Sequence, residues 1–213
     1  MIQIIVNGIG YNNMKIIKKI YTISKGWIIK IKYSLKIKIR EFGTTYVSMD
    51  KEAIVGNGML QLNTNAVSIH ETSKIRIDKS GKLILDGFVS FYSGLNLHIA
   101  DNASARIGNG TYINENTKIS IKKKLEIGEE CAISNNVSIM DSDFHVLKNE
   151  KEETGVIIGN HVWIGADVTI LKNVCIGDGC VVGARSVVTK SIPSNSLVVG
   201  NPARIVKNNV LWK

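Results

Sequence analysis

An aliphatic residue returns every six positions along most of this chain from Leu85 onward, and few folds can use such a period. The markers run Leu85, Phe91, Leu97, then Ile107, Ile113, Ile119, then Ile127, Ile133, Ile139, then Ile158, Ile164, Ile170, then Ile176, Val182, Val188. An α-helix repeats its faces at 3.6 residues and a strand at 2, so neither accounts for it. The residue after the marker is often glycine (Gly108, Gly128, Gly159, Gly165, Gly177, Gly183), and the fourth after it is small or β-branched, as at Thr111, Thr117, Cys131, Val137, Val162 and Ser186. Short flat strands that turn one branched side chain inward, with small residues at tight corners, fit this pattern. Glycine is expected there to supply unusual backbone dihedrals. Three hexads close one turn of a triangular coil, which predicts an all-β solenoid, a parallel β-helix.

The spacing between groups of three supplies a second line of argument. The steps from Leu97 to Ile107, Ile119 to Ile127, Ile139 to Ile158 and Ile170 to Ile176 are 10, 8, 19 and 6 residues. Every excess over six falls after a third hexad, so one corner of the prism carries all the insertions, the longest over 140–157. A loop of that length in a compact domain points to function or disorder. Upstream, Leu60, Leu62, Ile69, Ile75 and Ile77 suggest one less regular coil over 54–84. The expected organisation is a basic arm over 1–53, the coil over 54–196 and an extension over 197–213.

Charge separates arm from body. The chain of 213 residues carries a formal net charge of +9, and residues 1–40 hold eight lysines and one arginine with no acid before Glu41. The remainder is balanced, which argues against a nucleic-acid-binding domain and for a basic arm. Within it, Ile16, Ile17, Ile20 and Ile23 have helical spacing, whereas Ile31, Tyr33, Leu35, Ile37 and Ile39 alternate with basic residues as in a strand. Propensity leaves helix or strand open. No uncharged apolar run approaches the length of a membrane span, and residues 1–13 lack a signal-peptide pattern, so a cytoplasmic protein is expected. Cys131, Cys175 and Cys180 are read as small buried residues of the repeats.

The segment "IIGNHVWIGADVTILKNVCIGDGCVVGARSVVTKSIPSNSLVVGNPARIVK", from Ile157 to Lys207, resembles the hexapeptide-repeat acyltransferases. Within that family it is most similar to maltose and galactoside O-acetyltransferases and related polysaccharide O-acetyltransferases. The resemblance implies a left-handed coil, a homotrimer with active sites between neighbouring subunits, and acetyl-CoA as co-substrate with no metal. The left hand comes from the resemblance alone, since parallel crossovers are otherwise nearly always right-handed.

Moving an acetyl group from a thioester to a hydroxyl needs a base, because an alcohol keeps its proton at neutral pH. Of His70, His98, His145 and His161, only His145 sits in the long insertion, and there it resembles the family's catalytic histidine. Its orienting carboxylate is expected to be Asp143, with Asp141, Glu150, Glu152 and Glu153 also near. Trp163 lies between inward-facing Val162 and Ile164, so its indole points outward; in the family the matching tryptophan borders the pantetheine. Ala166 is expected to offer its N–H to the oxyanion. Ala184, Thr189, Lys190, Arg204 and Lys207 resemble coenzyme-contacting positions, the cations toward phosphates. Arg185 replaces a usual glycine, and either narrows the cleft or adds a phosphate contact. Asn114 resembles an asparagine that binds the acceptor sugar.

Two other functions fit less well. A zinc enzyme on this coil needs three histidines on neighbouring turns, and no His-x4-His pair exists here. A scaffold with a membrane-binding arm needs neither His145 nor an outward Trp163. Among transferases, amino-sugar N-acetylation is the alternative, since an amine depends less on a base. Residues 12–40 are expected to touch the anionic inner face of the cell membrane, each lysine contributing about 1 kcal/mol.

Overall fold

The computed structural model describes residues 38–41, 45–49, 53–57, 59–64, 72–145 and 154–213. These residues form a left-handed parallel β-helix with three flat faces. Strands stack in a nine-stranded first face, a seven-stranded second face and a six-stranded third face, and the chain visits them in rotation. The first edge lies between faces one and two, the second between two and three, and the third between three and one.

The six-residue markers sit where the repeat demands. Phe91, Ile113, Ile133, Ile164 and Val182 align rung on rung inside the first face, Leu97, Ile119, Ile139, Ile170 and Val188 inside the second, and Leu85, Ile107, Ile127, Ile158 and Ile176 inside the third. All are buried. Fully burying side chains of this kind stabilises by about 1.5–3 kcal/mol each. The hydroxyls at small inward positions are matched rather than orphaned: Thr111 Oγ1 donates to Gly128 O at 2.8 Å and accepts from Cys131 N at 3.0 Å. A buried polar group with its partners supplied avoids the desolvation cost.

The glycines after the markers serve a purpose other than the expected one. Left-handed backbone occurs two residues further on, at Asn116 (φ 58), Glu130 (φ 54), Asn136 (φ 59), His161 (φ 52), Asp167 (φ 59) and Arg185 (φ 61). A Cβ on Gly108 would lie 2.5 Å from the Gly128 carbonyl carbon, and one on Gly128 would lie 2.6 Å from Gly159 O. Close approach between successive coils therefore excludes a side chain at those glycines. The turn itself is made two residues after the glycine position, where asparagine tolerates the left-handed region best after glycine.

The coil also begins earlier than residue 54. Lys38–Glu41 pairs in parallel with Met59–Leu62, Thr45–Ser48 pairs with Ser73–Arg76, and Ala53 and Ile54 are in the core. Its first turn lacks the six-residue markers, which hid it from a hexad count. At the other end Ser196–Val199 still stacks in parallel on Val181–Val182, so the coil runs past residue 196. Arg204–Asn208 then folds back antiparallel on that last strand. The helical spacing at 12–24 and the alternation at 31–37 lie outside the described residues. Cys131 and Cys180 are buried as expected, but Cys175 is exposed, because it occupies an outward position of the third face. Among the described residues no helix is long and apolar enough to cross a membrane.

Candidate active site

The chain leaves the coil after Ser138–Met140 of the second face and resumes at Val156–Ile158 of the third, so the long insertion departs from the second edge. Asp141 marks the exit. It is fully buried, and its carboxylate accepts three backbone N–H bonds, from Lys122, Lys123 and Lys124, each at 2.7 Å. Asp141 thus closes the ladder where the strand ends, a structural task that removes it from the candidates for orienting an imidazole.

Two residues on, Asp143 Oδ2 pairs with Lys172 Nζ at 2.6 Å, tying the insertion to the next coil. Phe144 adopts φ 61, its N–H donating to Ser142 Oγ at 2.9 Å, and its ring is exposed with Lys122 Nζ 6.0 Å from the centroid. A bulky residue in the left-handed region is uncommon and strained. It stands immediately before His145, whose side chain is exposed. Glu150, Glu152 and Glu153 lie outside the described residues.

The other candidates fall at different places on the prism. Thr189 and Lys190 are exposed at the second edge, as is the start of the insertion. Asn114, Ala166, Ala184 and Arg185 lie at the first edge. Among the described residues neither the Ala166 nor the Ala184 amide donates to a protein acceptor, while the neighbouring Gly165 and Gly183 amides do. Arg185 points into solvent, its Nε 3.8 Å from Asp167 Oδ2. At the same edge, a groove of about 440 Å³ is lined by Gly94, Asn116, Lys118, Asn136 and Ser138. Trp163 stands on the first face beside the third edge and is 44% exposed. Above it, in register, come Val181, Leu197 and then Lys207 of the returning strand, with Arg204 on the same strand.

One residue escaped the sequence reading. Trp212 stacks on His161 with centroids 4.1 Å apart and planes within 5°, and lies 6.0 Å from Trp163 at 46°. Its partner is 51 positions away, so no periodicity could have linked them. The buried thiols are not nucleophile candidates: burial pushes both Cys131 and Cys180 above the usual thiol range, which keeps them protonated at neutral pH. Among the described residues no group of three His, Cys, Asp or Glu side chains could hold a metal ion.

Known proteins resemble this chain along the same coils. Residues 155–190 match the bacterial transferase hexapeptide family of six repeats. Galactoside O-acetyltransferase of Escherichia coli (strain K12) is 36% identical over 56% of this chain and 57% of its own length. Serine acetyltransferase 2 of Arabidopsis thaliana is 38% identical over 59% of this chain and 36% of its own. The chain thus spans less than two thirds of either relative. Among solved structures, the polysialic acid O-acetyltransferase OatWY superposes with a TM-score of 0.51 at 27% identity, over 83% of this chain and 90% of that one. The marker columns, the single insertion edge and these likenesses agree: the chain carries the bacterial transferase hexapeptide repeat over residues 155–190 and is similar to acetyltransferases of that kind over a little more than half its length.

Proposed function

We propose that this protein transfers an acetyl group from acetyl-CoA to a hydroxyl of a glycan or glycan precursor, with His145 as general base. The observation that carries the reading is the distribution of candidates over the prism. The histidine leaves from the second edge, the free amides of Ala166 and Ala184 lie at the first, and Trp163 stands beside the third. One copy cannot gather these into a single cleft. A ring of three copies can, because it sets an edge of one prism against a face of the next. The resemblance to sugar O-acetyltransferases supports the same assignment.

In that cleft the neutral His145 imidazole takes the proton of the acceptor hydroxyl while its oxygen attacks the thioester carbonyl. Negative charge grows on the carbonyl oxygen and is met by the Ala166 N–H, an amide with no internal bond to give up. Collapse of the tetrahedral adduct breaks the carbon–sulfur bond, and the imidazolium returns its proton to the departing thiolate. Asp143, pinned by Lys172, fixes the base of the insertion and orients the imidazole. Lys190, Arg204 and Lys207 meet the coenzyme phosphates, with Thr189 beside them. Asn114 and the groove lined by Asn116, Asn136 and Ser138 at the same edge hold the acceptor, since carboxamides and hydroxyls match the donors and acceptors of a sugar.

The test is release of free thiol from acetyl-CoA over a panel of glycans, amino sugars and nucleotide-linked sugars. His145→Ala should lower kcat about 10²–10⁴-fold while leaving coenzyme affinity nearly unchanged. An amine-only acceptor range with His145→Ala at full rate would remove the base from the reaction. Seven lysines precede Lys38, and this charge supports peripheral attachment to an anionic membrane, where a lipid-linked acceptor would be held. Equal sedimentation with neutral and anionic vesicles would count against attachment.

A further inference from the structure

We propose that Trp212 is a coenzyme-binding residue that, with Trp163, forms an aromatic notch for the thioester end of the pantetheine arm; this rests on the acetyl-CoA reading above. The segment after the returning strand does not trail into solvent. Val210 N donates to Asn195 O at 2.9 Å, which carries the chain back across the third edge. There Trp212 and His161 grip each other twice: Trp212 Nε1 donates to His161 O at 2.9 Å, and His161 Nε2 donates to Trp212 O at 3.0 Å. Their rings lie face to face at 4.1 Å. Glu130 Oε2 lies 4.0 Å from His161 Nδ1 on the other side of the imidazole.

This latch gives the indole one fixed attitude, and the attitude faces Trp163. With centroids 6.0 Å apart and planes inclined at 46°, the two indoles form an open V rather than a closed pair, and Trp163 keeps 44% of its surface exposed. Leaving two tryptophans partly wet on a rigid surface is costly unless a ligand covers them.

The dimensions above the notch suit one ligand. From Trp163 the outward positions of the first face are Val181 and Leu197, both partly buried and apolar, and then Lys207, exposed. Three rungs at about 4.8 Å give a track of roughly 14 Å from indole to ammonium. The pantetheine arm, about thirteen bonds from sulfur to phosphorus, is a little over four extended residues long, or roughly 15 Å. A thin, mostly apolar arm lying on this strip would set its acyl-bearing sulfur at the tryptophan pair and its phosphate at Lys207.

The decisive experiment measures, by calorimetry on the intact protein, affinity for CoA and for adenosine 3′,5′-bisphosphate, which lacks the arm. Trp212→Ala should weaken CoA about tenfold and leave the bisphosphate within about twofold of wild type. Trp212→Phe, which keeps a ring but not the indole N–H, should retain most CoA affinity, and His161→Ala should fall between the two. A Trp212→Ala protein that binds CoA like wild type overturns the proposal, as does one in which both ligands weaken equally, because that marks a general structural role. If wild type binds the bisphosphate but Trp212→Phe and Trp212→Ala are equally impaired toward CoA, the notch is again rejected. A wild-type protein that binds no CoA instead defeats the acetyltransferase reading on which the notch depends.

Discussion

Replacing Asp141 by alanine tests how the prism ends a strand and releases a functional segment. The carboxylate is fully buried and receives three amide bonds of 2.7 Å from Lys122, Lys123 and Lys124. Hydrogen bonds to a charged group contribute about 1.5–3 kcal/mol each. The three amides sit at an edge that water can partly reach, so the lower part of that range applies, and Asp141→Ala should cost about 4.5–6 kcal/mol. In Asp141→Asn one oxygen remains to serve two adjacent donors while an NH2 group faces the third, so the cost should be about 1–2 kcal/mol. Urea unfolding followed by near- and far-ultraviolet circular dichroism measures both, provided the two signals coincide as a single transition. Because Asp141 opens the segment that leads to His145, Asp141→Ala should also lower kcat more than it raises KM for acetyl-CoA. An Asp141→Ala protein within about 0.5 kcal/mol of wild type, or an asparagine variant as damaged as the alanine one, would refute the three-bond account.

Other consequences are simpler to check. Arg185 holds φ 61 with its side chain largely in solvent; Arg185→Gly should raise stability by about 0.5–1 kcal/mol, seen as a higher Tm, because glycine accepts that conformation without a Cβ clash. Native protein treated with iodoacetamide should be alkylated at Cys175 alone among the three cysteines, with Cys131 and Cys180 reacting after denaturation, as peptide mass spectrometry would report. Asp78, bonded to His98 Nε2 at 2.8 Å and Arg76 Nε at 2.7 Å, has a carboxyl held below its ordinary value by those partners, His98 first. A depressed folded-state pKa adds stability above the unfolded value, and that stability is lost as pH falls through the folded value. Asp78→Asn should therefore cost stability at neutral pH, by about 0–1 kcal/mol for a surface pair, and become neutral in strong acid. Unfolding curves at pH 7 and below pH 3 compare the two.

The hexad markers were legible because each rung of a solenoid repeats its neighbour. A residue six positions on meets the same environment one face further round, so Ile113, Ile133 and Ile164 announce their column without knowledge of the whole. For the same reason the insertions could be assigned to one edge, the one from which the segment leading to His145 departs. Trp163 was legible as outward-facing from its two inward neighbours, Val162 and Ile164. Where the repeat is imperfect that logic lapses, and the first two strands of the first turn, Lys38–Glu41 and Thr45–Ser48, were taken for an arm.

What the linear order could not disclose are the contacts that cross the repeat. Asp141 and Asp143 are two residues apart in the same acidic run, yet one is buried under three amides and the other is paired with Lys172. The glycines were expected as turn residues and proved to be spacers between coils, because the clash that excludes a side chain comes from a strand about twenty or more positions away. Trp212 joins His161 and Trp163 only because the last strand reverses and brings the chain back across an edge. Local periodicity thus determined the coil, since every rung sees only its neighbours. The tertiary structure alone decided the chemistry of its edges, since there residues remote in the chain are set side by side by the winding of the coil.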